Sequence, residues 1–346
     1  MSRHVAVIPG DGIGPEVVEA ALKILDSLGL PLEYVFIEAG LTRWKRTGVA
    51  ISEEDLEAIE SCDALLKGPI ATPTTPEGYR SVNVLLRKRL DLYANIRVFR
   101  STPISPFRDV DIILFRENTE GLYSGVEFSL TQGVAVSLRV ITEKGSSRLL
   151  RKAFEYAREN GRRKVTVVHK ANILRETCGL FIEVARRMAP EYPELEVDYM
   201  IVDAAAYALI SRPSSFDVIA TTNMFGDILS DEIAGLVGSM GICPSYNIGD
   251  RYAMFEAVHG AAFDIAGKGV ANPVGLILSA AGMLKHLGFR DEAGLVEKAV
   301  WKALETREGL TPDMGGNGTT RTVTEKILKI LNRERGFSWT SWTGAF

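Results

Sequence analysis

The chain has 346 residues, 46% of them hydrophobic and 24% charged, enough to bury a large core as two domains or one big α/β unit and too apolar for large-scale disorder. With a net charge of −4, neither the basic footprint of a nucleic-acid binder nor a membrane-surface patch is implied, so an anionic ligand must be held by a local cluster of bases. The three cysteines, Cys62, Cys178 and Cys243, lack CxxC spacing, which argues for a reduced cytoplasmic protein and against a structural zinc site.

The first residues run straight into a strand, His4 to Pro9, with no signal-peptide h-region. No apolar run approaches the ~20 residues that span a bilayer, so no membrane partner is expected. Gly10-Asp11-Gly12-Ile13-Gly14-Pro15-Glu16 follows, then an amphipathic helix through Val17, Val18, Ala21, Leu22 and Leu25. The glycines suggest a dinucleotide fingerprint, with Glu33 or Glu38 as the ribose acid, but a fingerprint starting at Gly10 needs a third small residue where Pro15 stands. The spacing therefore predicts a tight strand-to-helix turn with Pro15 near the first helical turn, not an ordinary Rossmann site. Leu32 to Glu38 then reads as a strand, about Ser52 to Ser61 as a helix and Asp63 to Lys67 as a strand, before a loop rich in Thr, Pro and Gly from Gly68 to Tyr79. Such alternation predicts a parallel sheet covered by helices.

Between Ser81 and Arg97, Lys88 and Arg89 fall at a helix end, where the dipole favours cations. Arg97 sits in the extended run Leu92 to Phe99, and Arg116 ends the apolar strand that starts at Asp111. A guanidinium at the end of a buried strand needs an anionic partner. With Arg87, these two can grip two carboxylates bidentately, and a structural ion pair to a helix stays open as the alternative. From Gly125 to Thr142 the pattern changes to two alternating runs around Thr131-Gln132-Gly133, an antiparallel hairpin that would suit subunit contact.

After it come a helix near Ser146 to Glu159, a strand Lys164 to His169, a helix near Leu174 to Met188 and a strand near Val197 to Val202. Lys170 and Asp203 are expected at the carboxyl ends of these strands, the edge where sites in open α/β sheets gather. A lysine partly desolvated beside other cations can serve as a base.

Phe216 to Thr222 is the next strand, and Asn223 to Glu232 opens a helical pattern through Ile228, Leu229, Ile233, Leu236 and Val237. Asp227 and Asp231 lie one helical turn apart, where their like charges repel unless a cation lies between them. An acidic first turn that complements the helix dipole is the plainer reading, and both stay open at this point. With Asp203 as a third carboxylate, the set would suit Mg²⁺ or Mn²⁺ rather than zinc. Downstream, the loop from His259 to Pro273 is rich in glycine and small residues that let backbone approach a nucleotide. Helical patterns at about Pro273 to Leu287, Glu292 to Glu305 and Val323 to Leu331 close the chain, and Gly336 to Phe346 carries Trp339 and Trp342 without helical period.

Taken together, Gly10 to Gly14, Arg116-Glu117-Asn118-Thr119-Glu120-Gly121-Leu122-Tyr123, His169-Lys170-Ala171-Asn172, Asn223 to Asp231 and His259 to Pro273 resemble the metal-dependent β-decarboxylating dehydrogenases, the isocitrate, homoisocitrate and 3-isopropylmalate enzymes. The resemblance covers about residues 4 to 332, in order, and is far more specific than any single motif. It implies an α/β fold of two domains, mostly parallel sheet flanked by helices and distinct from the ordinary Rossmann fold. The first domain would take 1–96 and 237–346, and the second 97–236, with the hairpin arm 125–142 as a dimer clasp. It also implies a homodimer with shared active sites, to which higher homo-oligomers can be added.

By the same resemblance, Arg87, Arg97 and Arg116 hold the carboxylates of a small polycarboxylate, with Ser81 and Asn83 beside them. Asp227 and Asp231 match metal ligands of one subunit, Asp203 and Lys170 match groups given across the dimer interface, and Tyr123 matches the general acid. Thr72, Asn172, His259, Gly260, Ala261, Asp264, Ile265 and Asn272 fall at cofactor-binding positions. NADP users carry Lys-Tyr where this chain has Asp264-Ile265, and a carboxylate there would repel a 2′-phosphate, so NAD is expected.

The substrate is read from the same region. Ser81-Val82-Asn83 resembles the Ser-x-Asn of isocitrate users, and Leu90 to Asn95 resembles the homoisocitrate enzymes of lysine biosynthesis, although those often carry an arginine near Val84. Val84 and Leu85 leave room for the apolar group of isopropylmalate, substrate of the leucine pathway. The resulting order is isocitrate and homoisocitrate together, then isopropylmalate. A non-catalytic regulatory subunit would have lost some of Lys170, Tyr123, Asp203, Asp227 and Asp231, yet all match, and Pro15 opposes an ordinary Rossmann dehydrogenase.

Overall fold

One ten-stranded sheet organises the computed structural model, which describes residues 2–75 and 78–335. The tryptophan-bearing stretch 336–346 lies outside the described residues. The chain begins with β1 (Arg3–Ile8), α1 (Gly14–Ser27), β2 (Leu32–Phe36), α2 (Leu41–Thr47), α3 (Glu53–Glu60), β3 (Ala64–Lys67) and α4 (Val82–Arg89). The middle holds β4 (Ala94–Arg100), β5 (Asp111–Glu117), β6 (Glu127–Thr131), β7 (Val134–Ser137), α5 (Glu143–Glu159), β8 (Lys164–His169), α6 (Arg175–Met188), β9 (Glu196–Ile201), α7 (Val202–Ser211), β10 (Val218–Thr221) and α8 (Asn223–Val237). It closes with β11 (Pro244–Ile248), β12 (Ala253–Ala257), α9 (Val274–His286), α10 (Arg290–Ala303) and α11 (Thr320–Glu334).

The strand order is β2-β1-β3-β12-β11-β4-β5-β10-β8-β9. The four strands at one side are parallel and so are the four at the other, as the alternating pattern predicts. In between, β11 runs antiparallel to β12 and β4, and β4 antiparallel to β5. The sequence reading did not assign β11 and β12. Their connection, closed by the Gly249 N–H on the Tyr252 carbonyl at 2.9 Å, is too short for a parallel crossover, so a hairpin results. The sheet is continuous through the expected boundaries at 96 and 237, which fall inside β4 and at the last residue of α8.

Helices α5 and α6 bury Leu149, Phe154 and Phe181 against Phe115, Val165 and Val167. Every residue of α9 from Val274 to Leu284 is buried, which is why its sequence shows almost no polar stripe. The Gly10-to-Gly14 turn is a spacer. At Gly10, φ is 79° and a Cβ would lie 2.1 Å from the Pro69 carbonyl, and at Gly12 one would lie 1.9 Å from the Ala261 carbonyl. The Asp11 carboxylate between them accepts from the N–H groups of Leu41, Thr42 and Ala71, so this turn pins the start of α2 and the loop after β3. The predicted hairpin forms as β6 and β7, with Phe128 opposite Val136, and it pairs with no strand of the large sheet.

One expectation is corrected. Asp203 does not end a strand; β9 stops at Ile201 and Asp203 lies in the first turn of α7. The run Ala204-Ala205-Ala206 favours helix strongly enough to set the boundary there. The helix α2 was also missed, being too short to show a period.

Candidate active site

Three arginines from three elements converge. On α4, capped by the Ser81 hydroxyl, Asn83 and Arg87 are one turn apart and share a face, and Arg87 is buried. The antiparallel register sets Asn95 opposite Arg116 and Arg97 opposite Leu114, so Arg97 and Arg116 lie on one face of the sheet. Helix α8 crosses that face. It approaches so closely that a Cβ on Gly226 would lie 2.7 Å from the Arg116 Cβ.

Arg116 donates from Nε to Asn223 Oδ1 at 2.9 Å and from Nη1 to Asp227. Arg97 lies 3.6 Å from Asp227 and 3.5 Å from Asp231, and its Nε donates to Asn95 Oδ1 at 2.9 Å. The Tyr123 hydroxyl, from the 3₁₀ turn Leu122–Ser124, donates to Asp227, and the Arg116 guanidinium stacks 5.1 Å from the Tyr123 ring. The two acids therefore lie beyond the first turn of α8 and are paired with arginines.

Electrostatics follow from this crowding. Burial and the neighbouring Arg87 and Arg97 charges push the Arg116 guanidinium below its ordinary range, without discharging it. Burial pushes Asp227 up, but Arg116 and the Tyr123 hydrogen bond outweigh it and hold the carboxyl below its usual range. Burial wins at Asp231, which is raised. The Tyr123 hydroxyl is raised by burial and by its bond to Asp227, so it stays a proton donor. Arg116 Nη2, Arg87 Nε and Asn83 Oδ1 are buried without a protein partner. Unmet donors among buried cations are what an anionic ligand would satisfy.

Lys170, directly after β8, and Asp203 on α7 form a second group, ion-paired to each other. The Lys170 hydrogen bond lowers the Asp203 carboxyl. The third carboxylate expected beside Asp227 and Asp231 is not supplied within one chain: among the described residues, no three acid, histidine or cysteine side chains gather to hold a metal. Asp227 and Asp231 on one face of α8 fit two corners of an oxygen-ligated divalent site, with their repulsion offset by Arg97 and Arg116.

In the loop expected to meet the cofactor, His259 is held by its Nδ1 on the Gly260 carbonyl at 3.1 Å, and its buried Nε2 has no partner. Burial lowers its pKa and favours neutral imidazole. Ala261 accepts from the Ile13 N–H at 2.9 Å. Asp264 is exposed and Ile265 half-buried in the turn that follows. Asn272 donates to Asp313 at 2.8 Å and accepts from the Val274 N–H at the start of α9. The loop is anchored at both ends, and the buried His259 Nε2 is left without a protein partner. Thr72 is exposed in the loop after Ala71, while Asn172 is exposed in the turn after Lys170, with the second group.

Two charged residues escaped the sequence reading. Lys67, at the end of β3, is fully buried and pairs with Glu256 of β12 at 2.7 Å, and Glu256 also lies 3.4 Å from Arg87. The signal was there, a charge inside an apolar run, the same that singled out Arg116.

The family model described as isocitrate/isopropylmalate dehydrogenase matches residues 4–327. The 3-isopropylmalate dehydrogenase of Archaeoglobus fulgidus is 47% identical over 95% of this chain and 100% of its own length. The isocitrate/homoisocitrate dehydrogenase of Thermus thermophilus is likewise 47% identical, over 96% of this chain and 99% of its own. Among solved structures, an isocitrate dehydrogenase from Methylococcus capsulatus superposes with a TM-score of 0.91 at 44% identity, covering 95% of this chain and 99% of its own.

Proposed function

Because the chain belongs to the isocitrate/isopropylmalate dehydrogenase family, decarboxylating oxidoreductases acting on a CH–OH group, we propose that it oxidises and decarboxylates isocitrate, homoisocitrate or both, with NAD and Mg²⁺ or Mn²⁺. The observation that carries this reading is the pair of unmet donors, Arg87 Nε and Arg116 Nη2, next to the Asp227–Asp231 pair.

Arg87, Arg97 and Arg116 receive carboxylates. Ser81 and Asn83 face the substituent on the malate core, where the Ser81 hydroxyl and, with the amide turned over, the Asn83 Nδ2 would donate to a carboxylate. When bound, the divalent ion supplies charge that acidifies the substrate hydroxyl and draws electron density from the carbonyl that replaces it, and NAD supplies the hydride acceptor. Tyr123, kept protonated by Asp227, donates the proton to the carbon that has lost CO₂.

The base and third carboxylate are the partner's Lys170 and the partner's Asp203 in a homodimer, since one chain holds them apart from Asp227. The apolar hairpin, with Phe128 48%, Leu130 66% and Val134 45% exposed, would be covered by the same partner. Asp264 disfavours a 2′-phosphate and so favours NAD over NADP. The described residues contain no helix long and apolar enough to cross a membrane, and the three buried, unbridged cysteines suit a reduced cytoplasm.

Isopropylmalate is the second reading, favoured by Leu85, 41% exposed on α4, and by the relatives named for it. Comparing kcat/KM for the three substrates with NAD and NADP tests both. Isocitrate or homoisocitrate should lead with NAD. A tenfold lead for isopropylmalate, about 1.4 kcal/mol in the transition state, would replace the substrate assignment, and no turnover of any would overturn the reading.

A further inference from the structure

The central strands have a second face, turned away from the arginines. The register sets Val98 opposite Ile113 and Arg100 opposite Asp111, and on β11 it sets Tyr246 opposite Ile96. Val98, Arg100 and Ile96 are odd steps from Arg97, and Ile113 and Asp111 odd steps from Arg116, so all of them turn to the reverse of the sheet. There α5 belongs to one hydrophobic core and α9 and α10 to another. Between the two lies a cleft of about 580 Å³, a size that holds a small ligand. Val98, Ile113 and Tyr246 form its floor, with Tyr156 of α5 on one side and Trp301 of α10 on the other. The floor is firm, because the Tyr246 ring is pressed so closely on α9 that a Cβ on Gly282 would lie 2.5 Å from it.

The charges of this cleft are unevenly matched. Arg162 takes Asp111 at 2.8 Å and Asp217 at 2.9 Å, and Lys285 pairs with Glu297 at 2.6 Å. Arg100 faces Asp111 across the strands, where opposite charges ordinarily pair, yet that carboxylate is turned to Arg162. Among the described residues Arg100 pairs with no acid, and its guanidinium lies over the half-buried Trp301 ring at 5.6 Å. The hydroxyls of Tyr156 and Tyr246 also bond to no described residue. Burial pushes both phenols up, so they remain donors.

A free guanidinium over an indole, an apolar floor and two unmet phenol donors complement a flat aromatic body that carries one acidic group. We propose that this cleft is an effector site for a small aromatic anion seated on Trp301 and Arg100, and that β4 and β5 link it to the polycarboxylate site. The link is short, since Val98 in the cleft directly follows Arg97 in the site. A ligand that favours one arrangement of these strands changes the affinity at the front, and a front ligand changes its affinity by the same factor. The cleft stands without the substrate reading above, whereas what it controls rests on that reading.

The test is calorimetry on the whole protein with naphthalene-2-sulfonate, with NAD at saturation to keep the probe out of the nucleotide site. Wild type should bind the probe, and Arg100→Gln and Trp301→Leu should each weaken it by about tenfold or more, the effect of losing a charged hydrogen bond or a stacked ring. Neither variant touches the front, so kcat without the probe should stay within about twofold of wild type. If Trp301→Leu does not fold, Arg100→Gln, a change on an exposed side chain, still gives the comparison. Tricarballylate, a polycarboxylate without the reacting hydroxyl, is then titrated with Mn²⁺. The probe should shift its Kd by about threefold or more in wild type but not in Arg100→Gln, and tricarballylate should shift the probe by the same factor. No binding of the probe, binding that Arg100→Gln leaves unchanged, or affinities that ignore each other overturn the inference. A wild type that binds the probe through Arg100, yet neither binds tricarballylate nor turns over any of the three substrates, overturns the proposed function and leaves the cleft as a binding site.

Discussion

The Arg116 guanidinium donates from Nη1 to Asp227, joining β5 to α8 across 111 residues of sequence, and leaves Nη2 without a protein partner. One side of the fork is thus spent on holding a candidate metal ligand and the other is open. That division makes the residue sensitive to shape as well as charge. Arg116→Lys keeps the charge but supplies no planar fork, and kcat/KM should fall by at least about 30-fold, the lower end of what breaking a buried charged contact costs. Steady-state kinetics check this, and an unchanged kcat/KM removes Arg116 from substrate binding.

Asp231 differs from Asp227 in being open to solvent, its side chain 54% exposed and 3.5 Å from Arg97. Asp231→Asn should therefore change stability by no more than about 1 kcal/mol while abolishing turnover that depends on Mn²⁺. Thermal melts and activity against Mn²⁺ concentration give the two readouts. Full activity in this variant sinks the metal assignment.

Sharing of the site between subunits predicts complementation. Lys170→Ala and Asp227→Ala should each be inactive alone. Mixed by unfolding and refolding, half the dimers are hybrids with one intact site each, so activity should return to about a quarter of wild type. Recovery of nothing would place Lys170 and Asp227 in the same subunit's site.

Asp264 is exposed, so its replacement should leave the fold alone. Asp264→Lys with Ile265→Tyr removes the charge that repels a 2′-phosphate and adds one that attracts it, and should move the NAD/NADP ratio of kcat/KM toward NADP by at least about tenfold. A ratio that does not move would place the nucleotide elsewhere.

Glu256 links stability to pH. Its folded value lies far below that of an unfolded glutamate, so its contribution is complete above the unfolded pKa of ~4.3 and is lost as pH falls from there toward the folded value. Urea midpoints between pH 6 and pH 3 should drop more steeply for wild type than for Glu256→Gln. At pH 7 that variant should itself be less stable by about 3–5 kcal/mol, because Lys67 is left buried without its acid.

Much of the fold was legible because burial imposes period. The strand Lys164–His169 matched to the residue, and helices α5, α6 and α9 to within a few positions. The hairpin β11–β12 was not read: β12 is a short, fully buried strand without alternation, and β11 is equally short, opens on Pro244 and buries its polar Ser245 and Asn247. Asp203 was set on a strand because its neighbours Met200 and Ile201 look like one, whereas the alanines after it decide for helix.

Sequence alone determined the inventory: that Arg87, Arg97, Arg116, Asp227 and Asp231 carry charge beside runs too apolar to leave it unpaired, and that their order along the chain belongs to one family of dehydrogenases. Tertiary structure alone decided the pairing. Register and sheet order bring positions 87, 97, 116, 227 and 256 together, seat Lys67 beneath Arg87, and hold Asp203 apart from Asp227 in a single chain. The reason is that a charge's partner is fixed by distance and burial to within an ångström or so, and spacing along a chain carries neither quantity between elements a hundred residues apart.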